Sequence, residues 1–137
     1  MVKVTSAELS KNLSDAGADQ SAEFYWSNLK KAPDAKPVLE RLDRITLGLP
    51  EWDDYAAFDC AELLERITWK IEIGEAFYSF GLHKIGDRFW ANYDHADRYR
   101  EDQSELAPTG GKNTPSEALG LLYLWCLENG HIEEEHE

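Results

Sequence analysis

The stretch Thr68-Trp69-Lys70-Ile71-Glu72-Ile73-Gly74-Glu75-Ala76-Phe77-Tyr78-Ser79-Phe80-Gly81-Leu82-His83-Lys84-Ile85-Gly86-Asp87-Arg88-Phe89-Trp90-Ala91-Asn92-Tyr93 decides the fold. Trp69, Ile71 and Ile73 alternate with Lys70 and Glu72, the period of two expected of a half-buried strand. Gly74-Glu75 and Gly86-Asp87 each suit a two-residue hairpin turn that opens on glycine. The two turns test each other through register. The first pairs Ile73 with Ala76, Ile71 with Tyr78 and Trp69 with Phe80. The second pairs Leu82 with Ala91 and Phe80 with Tyr93, and sets His83 across from Trp90. Both place Trp69, Ile71, Tyr78, Phe80, Leu82, Ala91 and Tyr93 on one apolar face, which predicts a three-stranded antiparallel meander. The opposite face carries Lys70, Glu72, Phe77, Ser79, Gly81, His83, Arg88, Trp90, Asn92 and Asp94.

Helical signals flank this stretch. Asp59-Cys60-Ala61-Glu62 fits a capping box opening a short helix to about Arg66. Thr114-Pro115-Ser116-Glu117 combines a cap, a proline at the first helical position and a glutamate at the third. The helix it opens, to about Asn129, is apolar nearly all round and needs cover on more than one side. Residues 95–113 read as a polar surface loop.

Towards the N-terminus the pattern predicts more helices. Thr5-Ser6-Ala7-Glu8 fits a capping box for one ending near Gly17. A second, roughly 20–31, would carry Phe24, Tyr25, Trp26 and Leu29 and stop at Pro33. A third, opened by Asp34, would bury Leu39, Leu42, Ile45 and Leu49 and end at Gly48 and Pro50. The expected fold is therefore α+β: the meander packed against a C-terminal helix, with N-terminal helices forming a second layer. One domain would span 1–137, comprising a charge-neutral helical part at 1–50, a helix–meander–helix core at 59–130 and an acidic tail at 131–137.

Charge narrows the function. The 137 residues hold 27 acidic and 14 basic side chains, a net of −13, and residues 1–50 sum to zero. All the excess therefore lies in 51–137, which argues against direct binding of nucleic acid or an anionic membrane, since phosphate contacts need Lys and Arg. The longest apolar run, Leu121 to Leu127, is too short to span a bilayer. With no secretory signal and two cysteines outside any C-x-x-C motif, the reading is a cytoplasmic protein with free buried thiols.

The segments Phe89-Trp90-Ala91-Asn92-Tyr93 and Thr114-Pro115-Ser116-Glu117-Ala118-Leu119-Gly120-Leu121-Leu122-Tyr123-Leu124-Trp125 resemble a class of small phage and prophage accessory proteins. Those combine a helix, an antiparallel meander and a C-terminal helix opening TP-x-EAL, and the resemblance covers about 59–130. It implies a bacterial host setting and a helix–sheet–helix sandwich, and it supplies no catalytic residues.

The sequence carries no phosphate loop, H-E-x-x-H or G-x-S-x-G motif, so no enzyme, cofactor or metal is expected. Asp94, His95 and Asp97, and the tail from His131 to His136, read as solvated charge runs, not metal sites. The leading candidate surface is an acidic patch of Glu51, Asp53, Asp54, Asp94, Asp97, Glu101, Asp102 and Glu105. It would bind a protein partner by presenting phosphate-like charge to the basic groove of a nucleic-acid enzyme, as an anti-defence inhibitor would. The alternative is a small-ligand site on the outer sheet face around Phe77, His83, Arg88, Trp90 and Asn92, if the N-terminal helices do not cover that face. A third reading is a structural homodimer formed through the apolar C-terminal helix.

Overall fold

A computed structural model of the chain describes residues 3–32, 34–95 and 109–131. In chain order the elements are α1 (Ala7–Asp15), β1 (Phe24–Leu29), β2 (Val38–Arg41), a 3-10 turn (Leu42–Arg44), β3 (Trp52–Ala57), α2 (Cys60–Arg66), β4 (Lys70–Ile73), β5 (Ala76–Ile85), β6 (Arg88–His95) and α3 (Pro115–Glu128). They build two three-stranded antiparallel sheets, ordered β2-β1-β3 and β4-β5-β6.

The second sheet is the expected meander in the expected register. Ile71 pairs with Tyr78, Phe80 with Tyr93, Leu82 with Ala91 and His83 with Trp90. Gly74 and Gly86 both adopt φ +63°, the left-handed backbone that makes glycine the natural first residue of these turns. The apolar face meets α3, where Ile71, Ala91 and Tyr93 are buried. It extends past the helix at its margins, leaving Trp69 68% and Leu82 37% exposed.

α3 is covered on several sides, as an all-round apolar helix requires. β5 and β6 lie against it, and so do α1 and α2. Leu119, Leu122 and Cys126 are fully buried there, and Leu9, Leu13, Phe58 and Leu63 join them in one cluster. Each large aliphatic or aromatic side chain so buried contributes about 1.5–3 kcal/mol. Tyr93 fixes the sheet to this helix: its hydroxyl donates to the Thr68 carbonyl at 2.5 Å and lies 3.3 Å from the Cys126 thiol.

The N-terminal half departs from the expected second layer. Only the first of the three helices forms; residues 24–29 are β1, and the region expected as a third helix is β2 and the 3-10 turn. Phe24-Tyr25-Trp26 is a run of strand-favouring aromatics. Pro37, which a first helical turn would tolerate, instead biases the residue before it towards the extended backbone that leads into β2. The helical spacing of Leu39, Leu42, Ile45 and Leu49 is coincidental, and Leu42 and Leu49 are each 45% exposed. β3, to which the sequence assigned no element, completes the sheet by pairing Ser27 with Asp54, while β2 pairs Val38 with Ser27.

α1 packs on α3 and β3, not on the outer face of the meander. Phe77 there is 40% exposed and His83 is exposed, so the N-terminal cover expected for that face is absent among the described residues. Part of the expected 95–113 loop is instead a third rail beside β6. Phe89 exchanges two 2.8 Å backbone hydrogen bonds with Lys112, and the Thr109 N–H donates to the Ala91 carbonyl. Residues 96–108 and the tail beyond His131 lie outside the described residues.

The caps are partly as read. Asp59 and Glu62 form the reciprocal capping box of α2. At α1 the cap is Ser6, one residue later than expected, accepting from the Leu9 N–H. Thr5 is buried instead, its hydroxyl accepting from the Phe58 N–H at 3.1 Å and meeting the Ser10 hydroxyl at 2.6 Å. At α3, Thr114 caps Glu117 N–H, but the Glu117 carboxylate accepts from the Ser6 N–H at 2.6 Å. The third residue of one helix thus holds the start of another.

Candidate functional site

The first sheet holds a groove that arises from strand alternation. One face of β1 and β3 carries Tyr25 and Ala56, both buried in the core. Further along the same face come Ser27 and Asp54, then Trp52, with Val38 and Glu40 contributed by β2. There the 45–49 segment supplies the remaining wall through Ile45, Thr46 and Leu49, enclosing about 250 Å³. Val38 at 50% exposed, Leu49 at 45% and Trp52 at 37% make an apolar rim open to solvent.

The polar groups of the groove are unevenly satisfied. Ser27 is buried, and its hydroxyl donates to Asp54 Oδ1 at 2.5 Å, a short charge-assisted bond. Asp54 Oδ2 is shielded from water and has no hydrogen-bond partner among the described residues. Neither Asp54 nor Glu40 has a cationic partner among the described residues, although both line the groove. A buried carboxylate oxygen without a donor carries a desolvation cost of about 1–3 kcal/mol or more. The arrangement is chemically an acceptor set waiting for a cationic donor, inside apolar walls that suit an aliphatic stem.

Of the acidic residues singled out in the sequence, Glu51, Asp53 and Asp54 lie at or beside the start of β3 and Asp94 lies on β6, in the other sheet. Asp53 points to the face opposite Asp54 and lies 3.7 Å from Lys30. Asp97, Glu101, Asp102 and Glu105 are outside the described residues.

The outer face of the second sheet does not gather its five candidates into one pocket. His83, Trp90 and Asn92 are neighbours, with His83 directly across from Trp90. Arg88 lies beside the turn, with its stem facing Gly111. Phe77 is six residues from His83 along β5, roughly 20 Å at strand rise, and takes Lys70 over its ring at 4.2 Å. Among the described residues no three His, Cys, Asp or Glu side chains cluster as a metal site.

Both cysteines are free thiols. Burial pushes the Cys126 and Cys60 thiols up, and a raised thiol is a poor nucleophile at neutral pH. The Tyr93 phenol is pushed far above the ordinary tyrosine range, chiefly by burial and then by its contact with Cys126. Tyr93 and Cys126 belong to the buried core, and Cys60 is half-buried at its edge.

Apart from Asp54, the groove residues Ser27, Val38, Glu40, Ile45, Thr46, Leu49 and Trp52 were not read as site residues, because 20–31 and 34–50 were expected as helices and β3 was assigned no element. No helix among the described residues is long and apolar enough to cross a membrane. No family model matches the chain, and no curated protein or solved structure matches it at a significant level.

Proposed function

We propose that this protein acts without catalysis, as a binding module that captures a basic side chain of a protein partner in the groove of its first sheet. The observation that carries this reading is the Asp54 carboxylate at the groove floor, one oxygen held by Ser27 and the other without a donor among the described residues. A lysine or arginine entering between Val38, Leu49 and Trp52 would lay its stem on the apolar walls and bring N–H donors to Asp54 and Glu40.

The net charge of −13 would speed encounter with a basic partner and make binding weaken with salt. A nucleic-acid enzyme, whose cleft is lined with Lys and Arg, is the partner class that fits this chemistry. In the bacterial setting implied by the accessory-protein resemblance, occupying such a cleft would inhibit a defence enzyme. The reading uses Asp54 as an anchor, with Glu40 as the second carboxylate of the groove.

An array of short peptides probed with the purified protein tests this directly. Binders should be enriched in Lys or Arg beside apolar residues, and should weaken by at least about tenfold between 50 and 500 mM salt. Asp54→Asn and Glu40→Gln should each reduce that binding. Binding with no basic preference, or undiminished in both variants, would sink the proposal.

A further inference from the structure

On the outer face of the second sheet, three side chains that the turn register places on one face converge on one point. Asp94 and His95 are adjacent in the chain but point to opposite faces of β6; His95 lies against the Tyr78 ring at 5.2 Å, on the α3 side. Asp94 instead shares its face with Asn92 and, across the ladder, His83. His83 Nε2 is 3.3 Å from Asn92 Oδ1 and 3.8 Å from Asp94 Oδ2. The Asn92 amide is itself fixed, since Asn92 is 3% exposed and its Nδ2 donates to Asp94 Oδ1 at 3.3 Å.

Gly81 creates the room for this convergence. It pairs with Asn92, and a Cβ there would stand 2.8 Å from His83 Nε2 and 3.1 Å from Asn92 Oδ1. The imidazole therefore folds back over the missing side chain, and its Nε2 meets the two oxygens. Any larger residue at this position would force the ring away.

We infer that His83, Asn92 and Asp94, gathered over Gly81, form a binding site for a borderline divalent transition cation of the zinc type. The imidazole nitrogen decides the metal class: Asn92 and Asp94 offer oxygens that many cations accept, but calcium and magnesium prefer all-oxygen shells, whereas a nitrogen donor suits zinc, nickel and copper. The spacing fits as well. Ligand bonds of ~2.1 Å put neighbouring donors ~3.0–3.4 Å apart. The His83–Asn92 separation already lies in that range and the His83–Asp94 separation needs a small closure. Binding requires Nε2 to be unprotonated, so the ring would carry its proton on Nδ1, and the amide-to-carboxylate bond orients the two oxygen ligands. Water completes the shell on the exposed side. The site lies in a different sheet from the groove and does not depend on it.

The test is a zinc titration of the full chain followed by residue-resolved NMR, including the imidazole nitrogens. The expected result is perturbation centred on residues 81–83 and 90–94, with a shift of His83 Nε2 characteristic of metal ligation. His83→Ala and Asp94→Ala should each weaken binding at this site by at least about tenfold. Gly81→Ala keeps every ligand and an ordinary strand backbone, and should weaken it comparably by displacing the ring. Zinc should also raise the melting temperature of the wild-type chain above that of folded Gly81→Ala. Perturbation confined to His131 and the terminal tail, or no perturbation at all, overturns the inference. Equal affinity in the wild-type chain and a folded Gly81→Ala variant overturns it too.

Discussion

Asp54 illustrates a conflict between stability and binding at a single side chain. Its Oδ1 is held by the buried Ser27 hydroxyl, while Oδ2 is shielded from solvent and accepts from no donor among the described residues. Asparagine at this position would still accept from Ser27, and it would remove the uncompensated charge. Asp54→Asn should therefore leave stability unchanged or raise it by about 1 kcal/mol, while losing the basic-peptide preference. Denaturant titration of the variant checks the first half. A loss of more than about 1 kcal/mol would mean that the carboxylate is structural and the groove reading misplaced. Ser27 was invisible as a site residue in the sequence, because a lone serine in an aromatic-rich run has no distinguishing signal. Its role comes from a partner 27 positions away in the chain.

At the scale of elements, α1 and α3 are in contact, and Gly120 lies against Leu9 in the middle of α3. A Cβ there would stand 2.7 Å from both Leu9 Cδ2 and Thr5 Cγ2. Helix propensity alone would favour alanine over glycine by about 1 kcal/mol. The contact opposes it, since overpacking a filled interface costs about 1–3 kcal/mol. Gly120→Ala should therefore be net destabilising, with a lowered melting temperature, and Gly120→Val more so. A rise in melting temperature for Gly120→Ala would show that the two helices can separate without loss. The same interface explains why Glu117 leaves its own cap: the Ser6 N–H is close enough to take its carboxylate. A local capping pattern named the right residues but not the partner, which is a neighbouring helix.

For the whole molecule, the buried titratable groups set the alkaline limit of stability. Cys126, Cys60, Tyr55, Tyr93 and Tyr123 all hold their protons to higher pH in the fold than when unfolded, with burial the leading cause. Above the unfolded thiol value of about 8.5, and again above about 10 for the phenols, the unfolded chain binds fewer protons than the native one. Unfolding free energy then falls as pH rises. The urea midpoint should be insensitive to these groups below about pH 8.5 and should drop between pH 9 and 11. A flat midpoint to pH 11 would contradict the burial of Tyr93 and Cys126. In the same window, Cys126 should react with a thiol reagent only as the chain unfolds.

What the sequence by itself determined was the local and periodic part of the fold. The meander was legible because two glycine turns imposed one register, and a register shifted by a single residue would have turned every apolar side chain to the wrong face. α2 and α3 were legible from their caps, and α3 announced its central position by being apolar all round. Only the tertiary structure decided that Phe24–Leu29 is a strand, since its partners, β2 and β3, come from separate stretches of the chain. Strand pairing is a long-range contact, and sequence period cannot state it when the strand is short and nearly continuous in aromatics. The groove follows from such pairings: its side chains meet because strands distant in sequence lie about 4.8 Å apart in a sheet, a proximity no local motif encodes. The His83–Asn92–Asp94 convergence lies within one hairpin, so the turn placed its residues on one face, and only the tertiary structure set the distances between them.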